Sequence, residues 1–208
     1  MDILQEPNEL HEAAENLKLI RETMERSTKH SSLSGIAGLL IGVWALAGIF
    51  ATRLFAPQGL AESPYAAHPL RLCAIWAAVL LASAFTDYIF NKRRAATVGK
   101  HVFSALGARM VRAAGPSFFA GFVLTLFMLK IGHPEYVWGI WMTLYGLAIC
   151  AVGLFSVRPV TALGVAFLLA GAITFALPSA LGLAMMAVAF GGFHIAYGLW
   201  TGVARGDW

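Results

Sequence analysis

The chain has 208 residues, of which 59% are hydrophobic and only 12% charged, with a formal net charge of +4. Soluble domains carry roughly 45–50% apolar and about 25% charged residues, so this composition excludes a chain whose whole surface meets water. A positive balance in a soluble protein would suggest nucleic acid. Here the basic residues flank apolar runs, where they report topology and contact with anionic lipid.

Residues 1–31 are charged and contain no apolar stretch of the kind a cleavable leader needs, and they read as a cytoplasmic amphipathic segment. A helix is predicted over residues 8–30, with Asn8 as N-cap and Glu9 and Glu12 in its first turn. Leu10, Ala13, Leu17, Ile20 and Met24 recur at heptad a and d positions, and Glu22/Arg26 and Glu25/Lys29 have the favourable i,i+4 order. Such a stripe either packs on the protein's own loops or docks a partner or second copy through Leu10, Leu17, Ile20 and Met24.

Residues 32–208 form the predicted transmembrane domain. Crossing the hydrocarbon core takes roughly 20 apolar residues, and six runs qualify: 33–54, 70–90, 116–131, 136–155, 160–177 and 181–203. They are continuous rather than alternating, so they read as helices, which satisfy their own backbone hydrogen bonds in lipid. The expected fold class is therefore all-α and polytopic. Short connections after spans three, four and five predict that spans three to six are antiparallel neighbours in sequence order.

Between the second and third spans, residues 96–113 interleave Val98, Val102, Phe103, Leu106, Met110 and Val111 with Lys100, Arg109 and Arg112. This pattern predicts a separate basic helix lying in the headgroup plane. Lys92, Arg93, Arg94, Lys100, Arg109 and Arg112 would then contact anionic headgroups. Twelve of the 15 Lys and Arg residues fall on the side of the N-terminus. The positive-inside rule places both termini in the cytoplasm.

Glycines recur seven residues apart: Gly35/Gly42, Gly139/Gly146/Gly153, Gly164/Gly171 and Gly191/Gly198. Seven residues are nearly two helical turns, so each set lies on one face and lets another backbone approach. Gly35–Gly42 and Gly164–Gly171 also share five of eight residues, which admits either an old duplication of hairpins or packing alone.

Ionisable groups within a span are functional candidates by default. Two stand out, Asp87 in the second span and His194 in the sixth, with Tyr145, Tyr197, Thr86 and Arg158 at related depth. Joined, they would bind a proton or cation, histidine being the side chain whose ordinary pKa of about 6.5 suits proton exchange. Taken separately, His194 is an interhelical hydrogen-bonding group and Asp87 a counter-ion for Arg158 or Lys92–Arg94. Other chemistries lack their parts. Zinc-protease and nucleotide-loop motifs are absent, Asp87 has no aspartate mate at its depth, and Cys73 and Cys150 match no metal spacing. No cofactor, metal or nucleic-acid partner is expected, nor enzymatic activity.

The segments Leu19–Arg26, Phe155–Pro159 and Phe190–Gly198 resemble a family of six-helix bacterial inner-membrane proteins. The resemblance implies location in that membrane and lends no catalytic residue. Because the spans read as unbroken and thinly lined with polar groups, the sequence favours a non-enzymatic scaffold, complex subunit or sensor associating through its N-terminal helix. The alternative is a small transporter or channel for a proton, cation or small solute, built on Asp87 and His194.

Overall fold

The computed structural model describes residues 34–55, 69–97 and 105–205, together with Glu15 and Leu17. Every element among the described residues is helical. Five long helices, α1 (Gly35–Phe55), α2 (Pro69–Thr97), α3 (Ala105–Lys130), α4 (Val137–Gly153) and α5 (Arg158–Ala176), are followed by a composite sixth. That sixth pass begins as α6 (Gly182–Met186), widens into a π-helical stretch at Ala187–Phe193, and resumes as α7 (His194–Arg205). Six helical passes are long and apolar enough to cross a membrane, and five of them begin and end within three residues of the runs read from the sequence.

The third pass corrects the reading. Residues 105–113 are not a separate helix in the headgroup plane. They are the first turns of α3, which continues through Pro116 to Lys130. Proline ordinarily disfavours helix at the preceding residue, because its ring crowds that residue's Cβ. The preceding residue here is Gly115, which has no Cβ, and nothing else lies within 4 Å of where one would be. The helix therefore passes the proline. α2 likewise runs on to Thr97, with Lys92 and Arg93 exposed near its end. Arg109 and Arg112 are exposed on the opening turns of α3. Lys100 lies outside the described residues.

The neighbour order also differs from the expectation. α3 packs on α4 and α4 on α5, as short loops predict, but the sixth pass packs mainly on α1. The glycines account for this. At Gly198 a Cβ would lie 2.6 Å from the carbonyl oxygen of Gly35 and from the amide of Leu39, and at Gly42 it would lie 2.8 Å from the carbonyl of Gly191. At Gly146 it would lie 2.7 Å from the carbonyl of Gly164, and at Gly171 it would lie 3.1 Å from that of Gly139. The four glycine-spaced passes thus form two antiparallel couples, α1 with the sixth and α4 with α5. Such contact between backbones is available only where neither helix carries a side chain. The shared glycine spacing marks the faces on which these two couples pack.

These four passes enclose a core that includes Trp138, Met142, Phe167, Leu183 and Met186. α2 and α3 flank it, and their outer faces expose Leu81, Phe85, Phe119 and Phe122, the surface expected against lipid tails. Each is tied inward by a threonine. Thr86 on α2 accepts from Trp44 Nε1 at 3.1 Å, and Thr125 on α3 accepts from Trp141 Nε1 at 2.9 Å. Both hydroxyls donate to the carbonyl four residues back. Interhelical bonds of this kind average about 0.6 kcal/mol and reach about 1.7. Thr125→Val is therefore expected to cost about 0.6 kcal/mol in a micellar unfolding titration. A loss beyond about 2 kcal/mol would show that this bond, and not the packing of Gly121 on the Trp141 ring, holds α3 in place.

Candidate functional site

His194 is the first residue of α7 and is fully buried. Tyr145, eight residues from either end of α4, reaches it midway through the bundle, its hydroxyl oxygen 2.8 Å from Nε2. The other ring nitrogen, Nδ1, lies 2.9 Å from the carbonyl oxygen of Phe190. A carbonyl can only accept, so Nδ1 carries a hydrogen. In the neutral ring Nε2 is then the acceptor, and the Tyr145 O–H donates to it. Both nitrogens are satisfied without charge, as burial at this depth requires.

The π-helical stretch makes this arrangement possible. The backbone N–H of His194 turns to the carbonyl of Gly191, and the imidazole takes the carbonyl of Phe190, one residue earlier. Gly191 and Gly192 supply the wide turn, and Gly191 also lets Leu46 of α1 press against it. Short π-helical stretches inside α-helices recur at functional sites.

Aromatic rings close round the pair. Phe167 of α5 is fully buried, 5.3 Å from the His194 ring and 4.7 Å from the Tyr145 ring, centroid to centroid. Phe190 stacks on His194 at 6.1 Å, Phe193 packs edge-on to Phe167 at 5.4 Å, and Phe118 of α3 meets Tyr145 at 6.3 Å. The imidazole is sealed, whereas Tyr145 is only partly buried. Asp87 sits on α2, three residues before the end of its apolar run. One of its oxygens, Oδ1, is completely enclosed although the residue as a whole is half-buried. Tyr145 and His194 are thus joined directly, while Asp87 stands on a flanking helix.

The remaining candidates stand elsewhere. Thr86 is occupied with Trp44 and its own helix. Tyr197 is buried one turn beyond His194, its ring 6.3 Å from Trp200 and its carbonyl accepting from Thr201. Arg158 is exposed at the first residue of α5, nine residues before Phe167, a separation of about 13 Å along the axis. The structure thus brings Tyr145 to His194 and leaves Arg158 at the helix end. Of the N-terminal docking stripe, Leu17 is helical and exposed, while Leu10, Ile20 and Met24 lie outside the described residues.

The sequence reading missed Phe118, Phe167, Phe190 and Phe193. In a chain with 14 phenylalanines nothing in composition separates a ring around a site from a ring against lipid. Among the described residues no three His, Cys, Asp or Glu side chains converge, and both Cys73 and Cys150 are free thiols. No protein-family model, no curated protein and no solved structure matches the chain.

Proposed function

We propose that this chain is a multi-pass inner-membrane protein with both termini in the cytoplasm, and that it works as a small proton-coupled transporter through Asp87, Tyr145 and His194. The observation that carries the reading is the interruption of the sixth pass by a π-helical stretch immediately before a fully buried histidine. Transporters bind their coupling ion near the middle of the bilayer, and π-helical stretches inside α-helices recur at functional sites. The scaffold reading leaned on regular spans, and the sixth departs from regular α-helix just before His194 while remaining helical throughout.

The chemistry follows from the bonds. A proton that reaches Tyr145 from the Asp87 side is passed on when the tyrosine's own hydrogen moves to Nε2. The resulting imidazolium donates from both nitrogens, to Tyr145 and to Phe190. Phe190 ends the chain, because a carbonyl cannot pass a proton further. The site is therefore a store with one entrance, and it carries a proton across the membrane only when a change between two conformations turns that entrance to the other side. With the termini in the cytoplasm, Asp87, three residues from the end of the apolar part of α2, opens to the cytoplasmic side.

The test is proton flux in proteoliposomes carrying a lumenal pH dye, driven by a pH step. Asp87→Asn keeps shape and hydrogen-bonding capacity while removing the charge, and is expected to lower the flux at least tenfold. Flux that is absent in the native protein, or equal in Asp87→Asn, overturns the proposal.

A further inference from the structure

At the opposite end of the bundle from Asp87, a cavity of about 260 Å³ opens between the tip of α4, the last turn of α5 and the start of the sixth pass. Its wall includes Glu135, Tyr136, Gly139, Thr174, Phe175 and Ser179. The local sequence builds this wall. α3 ends in a Schellman turn, with Gly132 at φ 80°, its N–H on the carbonyl of Leu129, and the N–H of His133 on that of Met128. Pro134 then starts a single 3₁₀ turn, Pro134–Tyr136, and is itself buried. The chain is held at both ends of Glu135, so the direction of its side chain is set.

The Glu135 side chain is 12% exposed, while His133, two residues away, is 54% exposed. A carboxylate this far removed from water needs hydrogen-bond partners. His133 Nδ1, 2.9 Å from Oε1, meets it from the exposed side. On the cavity side the wall offers one carboxylate, the hydroxyls of Thr174 and Ser179, and the rings of Tyr136 and Phe175. Among the described residues no Lys or Arg lines it.

Acceptors and aromatic faces without a basic residue select a cation. A single carboxylate is too few oxygens for calcium, which takes 6–8. An ammonium group needs only a few acceptors and is drawn to the face of a ring within about 6 Å. The volume falls just under the usual range of about 300–1,000 Å³ for small-molecule sites, which limits the occupant to a small amine or to the head of a larger molecule. We infer that this cavity binds a primary ammonium group on Glu135, with Tyr136 and Phe175 beside it. The ammonium is that of a free small amine or of an aminophospholipid headgroup, since the site lies at the end of the spans where either is at hand. The inference stands independently of the proton site.

The experiment uses the full chain in maltoside micelles. Ethylammonium chloride is titrated calorimetrically, with ethanol, sodium acetate and sodium chloride as controls. In parallel, native mass spectrometry compares retention of phosphatidylethanolamine with that of phosphatidylglycerol. Binding of ethylammonium but not of the controls, weakened at least tenfold in Glu135→Gln, supports a free-amine site. Selective retention of phosphatidylethanolamine, lost in Glu135→Gln while free ethylammonium does not bind, supports a headgroup site. Absence of both, or equal binding in Glu135→Gln, overturns the inference. If that variant does not fold, selectivity of the native protein for ethylammonium over ethanol and acetate decides the same question. Asp87→Asn is expected to leave either signal unchanged.

Discussion

Gly198→Ala is expected to destabilise the bundle by about 1–3 kcal/mol, the usual cost of forcing an extra methyl group into a packed core. The added Cβ would lie 2.6 Å from the Gly35 carbonyl oxygen and 2.6 Å from the Leu39 amide nitrogen. Both are backbone atoms, so no rotamer change relieves the clash and α7 must move away from α1. The gain of about 1 kcal/mol that alanine brings to a helix interior does not offset this. Gly192→Ala is the matched control on the same pass. The nearest atom to its added Cβ is the Ala187 carbonyl oxygen of the same pass at 3.9 Å, an ordinary contact, so the variant is expected to be between neutral and about 1 kcal/mol more stable. Unfolding in mixed micelles by a denaturing detergent measures both. Equal effects would mean that the glycine faces are incidental to the fold. The consequence also reaches the site. Gly198 lies one turn beyond His194, so separation at Gly198 turns the imidazole off Tyr145, and any proton flux falls with the stability.

Most of the fold was legible because a span is written in a single variable, a run of about 20 apolar residues. Five passes needed nothing more. The third needed knowledge of one dipeptide, Gly115–Pro116. Proline alone argues for a break, and the missing Cβ of the preceding glycine removes the reason for one. The partners of the passes were half legible. The seven-residue glycine spacing named the faces that pack closely, but no periodicity states which face meets which. That depends on three-dimensional closure, which sets Gly198 on Gly35 and Gly146 on Gly164.

The site was legible in its titratable members and illegible in its apolar ones. Asp87, Tyr145 and His194 were visible because polar groups within a span are rare. The π-helical stretch was not, since Ala187–Phe193 differs from any other Gly/Ala/Phe run only in how its backbone is wound. Phe167 was equally hidden. A buried phenylalanine and a lipid-facing one are the same letter, and only the packing of α5 separates Phe167 from Phe119.

The pair His194→Phe and Tyr145→Phe separates the structural role of the site from its chemistry. His194→Phe keeps a ring among Phe167, Phe190 and Tyr145, so it opens no cavity. It does leave the Tyr145 hydroxyl and the Phe190 carbonyl without the imidazole they bond in the native protein. A buried polar group left unsatisfied costs about 1–3 kcal/mol, and His194→Phe is expected to lose that much stability. Adding Tyr145→Phe removes one of the orphaned groups. Replacing both members of a hydrogen-bonded pair by apolar groups of similar shape is close to neutral, so the double variant is expected to recover about 1 kcal/mol or more of the loss. Stability then returns while proton exchange does not, because neither phenylalanine holds a proton. In proteoliposomes the double variant is expected to be well inserted and inactive. Were it to conduct protons as the native protein does, His194 and Tyr145 would be a structural hydrogen bond only. Were the loss in the double variant equal to the sum of the two single losses, the two residues would not be acting on each other. The cycle reads both quantities from the same four proteins, so a failure of folding cannot be mistaken for a failure of chemistry.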